Sequence, residues 1–377
     1  MSSISVNTIT DASGGATTSI NGFTPSVSNM AGRNRIINGD MRIDQRNAGA
    51  SSNFGTGGEF STVDRWQTFE NTGGSATNQQ VVDAPAGFYN SLKVTVTSSA
   101  TPASSELTQL QQMIEGFNTA DLAWGTASAK TVTLSFWVKS SITGQFGGSV
   151  ANNGTPSYSS YPFSYTISSA NTWEYKTITI AGSTSGTWGA TNGTGIRLYF
   201  NLGSGSNHLT TPNTWYGALY RGSTGDTSLI STNGATWQVT GVQLEEGSVA
   251  TPFEHRQYGQ ELALCQRYYY VLSAASNQNT FFSSTSGYTS TQALCVIPFS
   301  NTMRTNPSLV TSGTASDYRL IMGGSFLTCS SVPTMDQPNP NSANLIFTVS
   351  SGIVVGYGGQ ALANNTTSAF LGFSAEL

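Results

Sequence analysis

The sequence predicts an all-β protein with an extended N-terminal arm, an antiparallel sandwich and a second, smaller β domain at the C-terminus. Three observations carry this. Charged residues make up 9% of the chain, where soluble domains carry about a quarter, so the Lys and Glu that favour helices are scarce. Ser, Thr, Asn and 41 Gly take their place and suit tight turns. Short runs of Val, Ile, Phe, Tyr and Thr between those turns alternate apolar and polar, the period of half-buried strands. A chain of 377 residues is long enough for two domains with cores of their own.

Residues 1–32 are polar and nearly uncharged, with isolated apolar points at Ile4, Val6, Ile9, Ile20 and Phe23. Such a segment buries too little to fold alone, and thirty extended residues reach roughly 100 Å at about 3.3 Å each. Residues 33–258 read as one domain of short strands. In Thr131–Lys139 one face carries Val132, Leu134, Phe136 and Val138. Thr172–Ile180 alternates less cleanly, with Tyr175 and Thr177 against Ile178 and Ile180, and Ile196–Leu202 and Trp237–Leu244 behave in the same way. Ser105–Met113 suits a helical turn, although Leu107 and Leu110 also fit an irregular strand. Residues 259–377 form the second β domain, opening with a short helix near Gln260–Tyr269 and continuing in strands around Thr291–Phe299, Leu345–Val349 and Ala369–Ala375. That domain holds seven charged residues, Glu261, Arg267, Arg304, Asp317, Arg319, Asp336 and Glu376. Sheet edges and apolar surface with so little charge favour self-association.

Two separated phrases stand out. One is Arg33-Asn-Arg-Ile-Ile-Asn-Gly-Asp-Met-Arg-Ile-Asp-Gln-Arg-Asn47. The other runs from Thr240-Gly-Val-Gln-Leu-Glu-Glu-Gly247 through Thr251-Pro-Phe-Glu254 to Cys265-Gln-Arg-Tyr-Tyr269. In this order they resemble the tail-fibre and receptor-binding proteins of bacteriophages, of marine podovirus or cyanophage type. Between them, Leu110-Gln-Gln-Met-Ile-Glu-Gly116, Lys130–Lys139 and Trp173–Ile178 resemble the galactose-binding-like jelly roll of carbohydrate-binding modules. Ile297–Pro307 and the terminal Phe373–Leu377 resemble phage-fibre C-termini, the latter suggesting a natural end. The resemblance implies a virion protein made in the host cytoplasm and assembled as a homotrimer. Residues 1–32 would attach it to tail adaptor or nozzle proteins through Ile4, Val6, Ile9, Ile20 and Phe23. Its target would be a host-surface glycan or outer-membrane receptor. A head fibre or capsid decoration protein, and a polysaccharide depolymerase, are the alternatives.

A net charge of −4 gives no long-range attraction for nucleic acid. No apolar run approaches the length of a transmembrane helix, so membrane insertion is not expected. Cys265, Cys295 and Cys329 are odd in number and widely spaced, which suits buried thiols rather than disulfides or zinc. No cofactor or metal is expected. Calcium takes about six to eight oxygens, and the resemblance offers Asp40 alone, opposite Thr240 and Gly241. Glycoside hydrolysis needs two carboxylates facing one bond, whereas Glu245 and Glu246 are strand neighbours that point apart. An enzyme is therefore not expected. Indole and phenol rings stack on sugar C–H faces, which makes the loop aromatics Trp188, Trp215, Tyr216 and Tyr220, with Arg221, the glycan candidates. Packing beneath long loops is the other role open to each. Trp66, Trp137, Trp173 and Trp237, on or beside strands, are expected in the core.

Overall fold

The computed structural model describes residues 32–377, so Ile4, Val6, Ile9, Ile20 and Phe23, the residues expected to attach the chain to the virion, lie outside it. The chain divides into two compact units at Arg256 and Gln257.

The first unit is an antiparallel jelly-roll sandwich. One sheet runs, edge to edge, through Ser52–Asn53, Ser75–Val81, Ser91–Ser98, Thr236–Glu246, Val132–Ser140 and Glu174–Ile180. The other runs through Gln67–Glu70, Leu107–Glu115, Thr194–Ser204, Gly144–Ala151 and Ser160–Ile167. Alternation decides what fills the space between them. Leu92, Val94, Leu134, Phe136, Val138 and Val239 from the first sheet meet Leu110, Ile114, Phe146, Val150, Phe163, Leu198 and Phe200 from the second. The stretch around Ser105–Met113 is strand, not helix. It is paired on both sides, by Gln67–Glu70 and by Thr194–Ser204, and all nine residues of Leu107–Glu115 are buried.

The opening segment, residues 33–42, does not run as a continuous strand beside the closing one. Asn38 (φ 57°) and Met41 (φ 60°) break its extension. It meets the closing strand only where Ser91–Ser98 has stopped pairing, through Arg35 N to Leu244 O (2.9 Å) and Val242 N to Gly39 O (2.9 Å). Side chains complete the closure. Asn34 Nδ2 donates to Val242 O (3.1 Å), and Asn34 Oδ1 accepts from Leu244 N (3.1 Å). Glu254 accepts the backbone N–H groups of Gly32 and Asn34, both at 2.8 Å. Arg33 Nη2 donates to Pro252 O (2.7 Å). The first phrase and the 242–254 part of the second thus form one polar clamp across the ends of the sandwich.

Trp66 and Trp237 sit in the core as expected. Trp137 and Trp173 do not. Both are half-buried: Trp137 because its strand places it on the side opposite Phe136 and Val138, and Trp173 just before the edge strand Glu174–Ile180.

The second unit packs a three-stranded sheet (Tyr269–Ser273, Phe370–Ser374, Ser308–Thr311) and a seven-stranded sheet around one core. Helix Tyr258–Gln266 precedes the first strand. Cys265, Cys295 and Cys329 are buried and none is in a disulfide among the described residues. Burial pushes Cys295 up to about 11 and Cys329 to about 12.

Candidate functional site

The outward face of the five-stranded sheet gathers polar groups that strands of a sandwich usually leave to water. Leu198 and Phe200 point to the core, so Arg197, Tyr199 and Asn201 point out. Register sets Tyr199 between Gln111 and Ser149, and Asn201 between Gln109 and Gly147. Gln109 Nε2 donates to Gln111 Oε1 (3.2 Å), and Gln111 in turn donates to Gln67.

A flap, residues 205–228, folds over the neighbouring part of this face. Leu209–Thr210 pairs in parallel with Gly222–Ser223. Ser160 and Tyr216 exchange backbone hydrogen bonds of 3.0 and 2.9 Å, and Ser160 Oγ accepts from Tyr220 N (3.1 Å). Asp226 pins the flap down: it accepts from Asn201 Nδ2 (3.0 Å), Gln145 Nε2 (3.1 Å) and Ser223 N (2.8 Å). Gly147 is required beneath it, since a Cβ there would lie 2.2 Å from Asp226 Oδ2. Burial raises the Asp226 carboxyl above the usual range, against the pull of those three donors.

The flap carries three of the predicted residues to the face. Tyr216 and Tyr220 pack edge to face at 5.2 Å. The Arg221 guanidinium lies over the Tyr199 ring at 4.2 Å, a cation–π contact. Burial lowers Arg221 from the usual guanidinium range, and the Arg197 charge acts in the same direction. Five polar atoms here are buried without a hydrogen-bond partner among the described residues: Arg221 Nε and Nη1, Arg197 Nε, Tyr199 Oη and Gln109 Oε1. Buried groups of this kind are costly unless a water or a ligand satisfies them. Chemically the face offers donors to hydroxyl or carboxylate oxygens, one acceptor, and aromatic rings at its border.

The other two candidates are placed elsewhere. Trp188 and Trp215 join Trp124 in a triad of edge-to-face indoles, with centroids 4.7, 5.5 and 5.6 Å apart, packed against the core. Their N–H groups donate to the backbone carbonyls of Ser185 and Ala181. Asp40 forms an ion pair with Arg42 (2.7 Å), and among the described residues no three His, Cys, Asp or Glu side chains gather as a metal site.

Sequence reasoning missed Arg197, Tyr199, Asn201, Gln109, Gln111 and Asp226. A signal was present. Gln109 and Gln111 flank Leu110, and Arg197, Tyr199 and Asn201 interleave with Leu198 and Phe200. A polar row at period two opposite an apolar one marks the outer face of a strand.

No protein-family model and no curated protein matches the chain. Among solved structures it is similar to the enzymatically active domain of tailspike protein 4 of bacteriophage CBA120, with 12% identity and a TM-score of 0.31. That likeness covers 56% of this chain but spans only 21% of the tailspike domain. A family 11 carbohydrate-binding module of Clostridium thermocellum, bound to a mixed-linked tetrasaccharide, is 12% identical over 53% of this chain and 98% of its own (TM-score 0.28). A xylan-binding family 22 module of Paenibacillus barcinonensis is 16% identical over 52% of this chain and 98% of its own (TM-score 0.27). At these scores the architecture rests on the strand order itself.

Proposed function

We propose that the protein is a non-enzymatic bacteriophage tail fibre that recognises a glycan on the host surface. The observation that carries the glycan reading is the set of five unpartnered polar atoms around Tyr199 and Arg221. Sugar hydroxyls, directly or through water, are the partners such a mixed set of donors and acceptors takes. The virion role is supported by the two phage-fibre phrases in the sequence. Residues 1–32 attach the fibre to the tail, and the charge-poor second unit holds a homotrimer together. Single sugar sites near millimolar strength, about −4 kcal/mol, become lasting adhesion when repeated on a trimer.

The non-enzymatic reading is supported by the carboxylates. Glu245 is committed to Gln243 and Thr251, while Glu246 pairs with Lys130 on the opposite side of the strand. The test is competition: purified protein should block adsorption of the parent virus in a dose-dependent way. Arg221→Ala should raise the blocking concentration by roughly tenfold or more. No block at saturating protein would overturn the fibre reading. A block that Arg221→Ala leaves intact would remove the glycan site from this face.

A further inference from the structure

We propose that a second, separate pocket, on the outward face of the six-stranded sheet, takes a single neutral pyranose ring of a glycan. It extends the glycan reading above to another surface, and its ligand does not need the Arg221 face.

The pocket encloses about 380 Å³, at the small end of ligand sites and suited to one sugar ring rather than a chain in a groove. Two aromatic walls face it. Trp137 and Tyr175 are Cα partners on adjacent strands, with ring centroids 5.3 Å apart. Across from them Phe88, Phe253 and His255 pack together at 4.9–5.3 Å. Gly241 forms the floor. It takes φ +61° at the bulge in the closing strand, where a Cβ would lie 2.7 Å from Phe88 Cζ and 3.2 Å from Trp137 Cδ1. Its missing side chain leaves the indole edge beside Nε1 uncovered. The second wall is tethered: Thr251, on the rim, donates through N and Oγ1 to Glu245 at 2.8 and 2.6 Å.

The polar groups select the ligand. Among the described residues, six of the seven tryptophans donate their indole N–H to a protein acceptor, at Asn38, Lys130, Asp83, Ser185, Ala181 and Tyr165. Trp137 is the exception, and it is the one that lines this pocket. An apolar guest would leave that donor unanswered, whereas a sugar hydroxyl accepts from it while the ring C–H groups stack on the aromatic faces. Among the described residues no Lys, Arg, Asp or Glu lines the pocket, which disfavours an ionic ligand.

The experiment uses the full chain with ¹⁵N-labelled tryptophan, so that Trp137→Phe assigns its indole peak and leaves a ring in place. Methyl glycosides of glucose, galactose, mannose and N-acetylglucosamine are titrated to about 20 mM, well above a millimolar Kd. At least one should shift the Trp137 indole signal saturably. Tyr175→Ala, at an exposed position, should weaken that response by roughly tenfold, and Arg221→Ala should leave it unchanged. The proposal is overturned if none of the four shifts Trp137, or if the shift persists in Tyr175→Ala. A shift caused by N-acetylphenylalanine amide and by no sugar overturns it too, in favour of a protein side chain. A sugar-dependent shift without any block of virus adsorption would leave the pocket standing and sink the fibre reading.

Discussion

Replacing Glu245 by alanine should cost far more than replacing its neighbour Glu246. The Glu245 side chain is 1% exposed. It accepts from Gln243 Nε2 (2.8 Å), Thr251 N (2.8 Å) and Thr251 Oγ1 (2.6 Å), with Arg33 Nε at 3.7 Å. Removing a carboxylate so placed strands three donors and a cation. Breaking a buried pair costs about 3–5 kcal/mol, and hydrogen bonds to a charge at about 1.5–3 kcal/mol each give a compatible upper range. Glu246 meets Lys130 at 3.0 Å with both side chains roughly a third exposed, at 31% and 40%. Its loss should cost about 0–1 kcal/mol. All seven tryptophans lie at or before Trp237, within the first unit, so their fluorescence follows that unit alone through urea unfolding. With a slope of about 3 kcal/mol per molar urea, Glu245→Ala should lower the midpoint by about 1–1.7 M, and Glu246→Ala by about 0.3 M or less. Equal shifts for the two variants would refute the clamp.

Two further predictions concern the same unit. Asp64 is fully buried, and burial raises its carboxyl to about 6, against the Arg46 charge and hydrogen bonds from Gln45. A raised folded-state value means that the folded chain holds the proton more tightly. The stability from Asp64 is therefore complete below the unfolded value of 3.8 and is lost as pH rises through about 6. Burial raises Asp44 in the same direction. Asp64→Asn should remove a decline of roughly 3 kcal/mol over that window, and unfolding curves that run parallel to the parent across it would contradict the shift. Trp215→Ala should act as a loss of packing, since Trp215 touches Trp124, Trp188 and Tyr161. About 3 kcal/mol of destabilisation is expected, with glycan binding retained at temperatures where the variant stays folded. Normal stability with lost binding would return Trp215 to the role of ligand platform.

The sandwich was legible because alternation is a direct consequence of strand geometry. Val132, Leu134, Phe136 and Val138 face the core as their spacing requires. Leu107–Glu115 was ambiguous because its outward positions are filled by Gln109 and Gln111. These residues suit a helix as readily as a strand until neighbours on both sides fix the choice. The site was harder to read. Tyr216, Tyr220 and Arg221 reach one surface because Asp226 and Ser160 hold the flap down, a long-range arrangement that no local spacing encodes. The expectation that Trp137 belongs to the core failed for a definite reason. An odd count along Val132–Ser140 places it opposite Phe136, and only the glycine bulge across the sheet shows that the face beneath it is open.

The same geometry explains why the most recognisable phrases and the candidate binding faces are different parts of the molecule. Arg33, Asn34, Glu245 and Glu254 spend their polar atoms on each other and on backbone, closing the two ends of a sandwich whose first and last segments are far apart in sequence. Closure of that kind tolerates few substitutes at Asn34 and Glu245, which are buried with both polar ends of the amide and both carboxylate oxygens already matched. The outward rows on the two sheets are under no such constraint. Arg197, Tyr199 and Gln109 on one side, and Trp137 and Tyr175 on the other, lie outside the core cluster, which alternate residues of the same strands supply. A fold of this design can change what it recognises while keeping the clamp. The clamp should accordingly be tested by stability, and the two faces by binding.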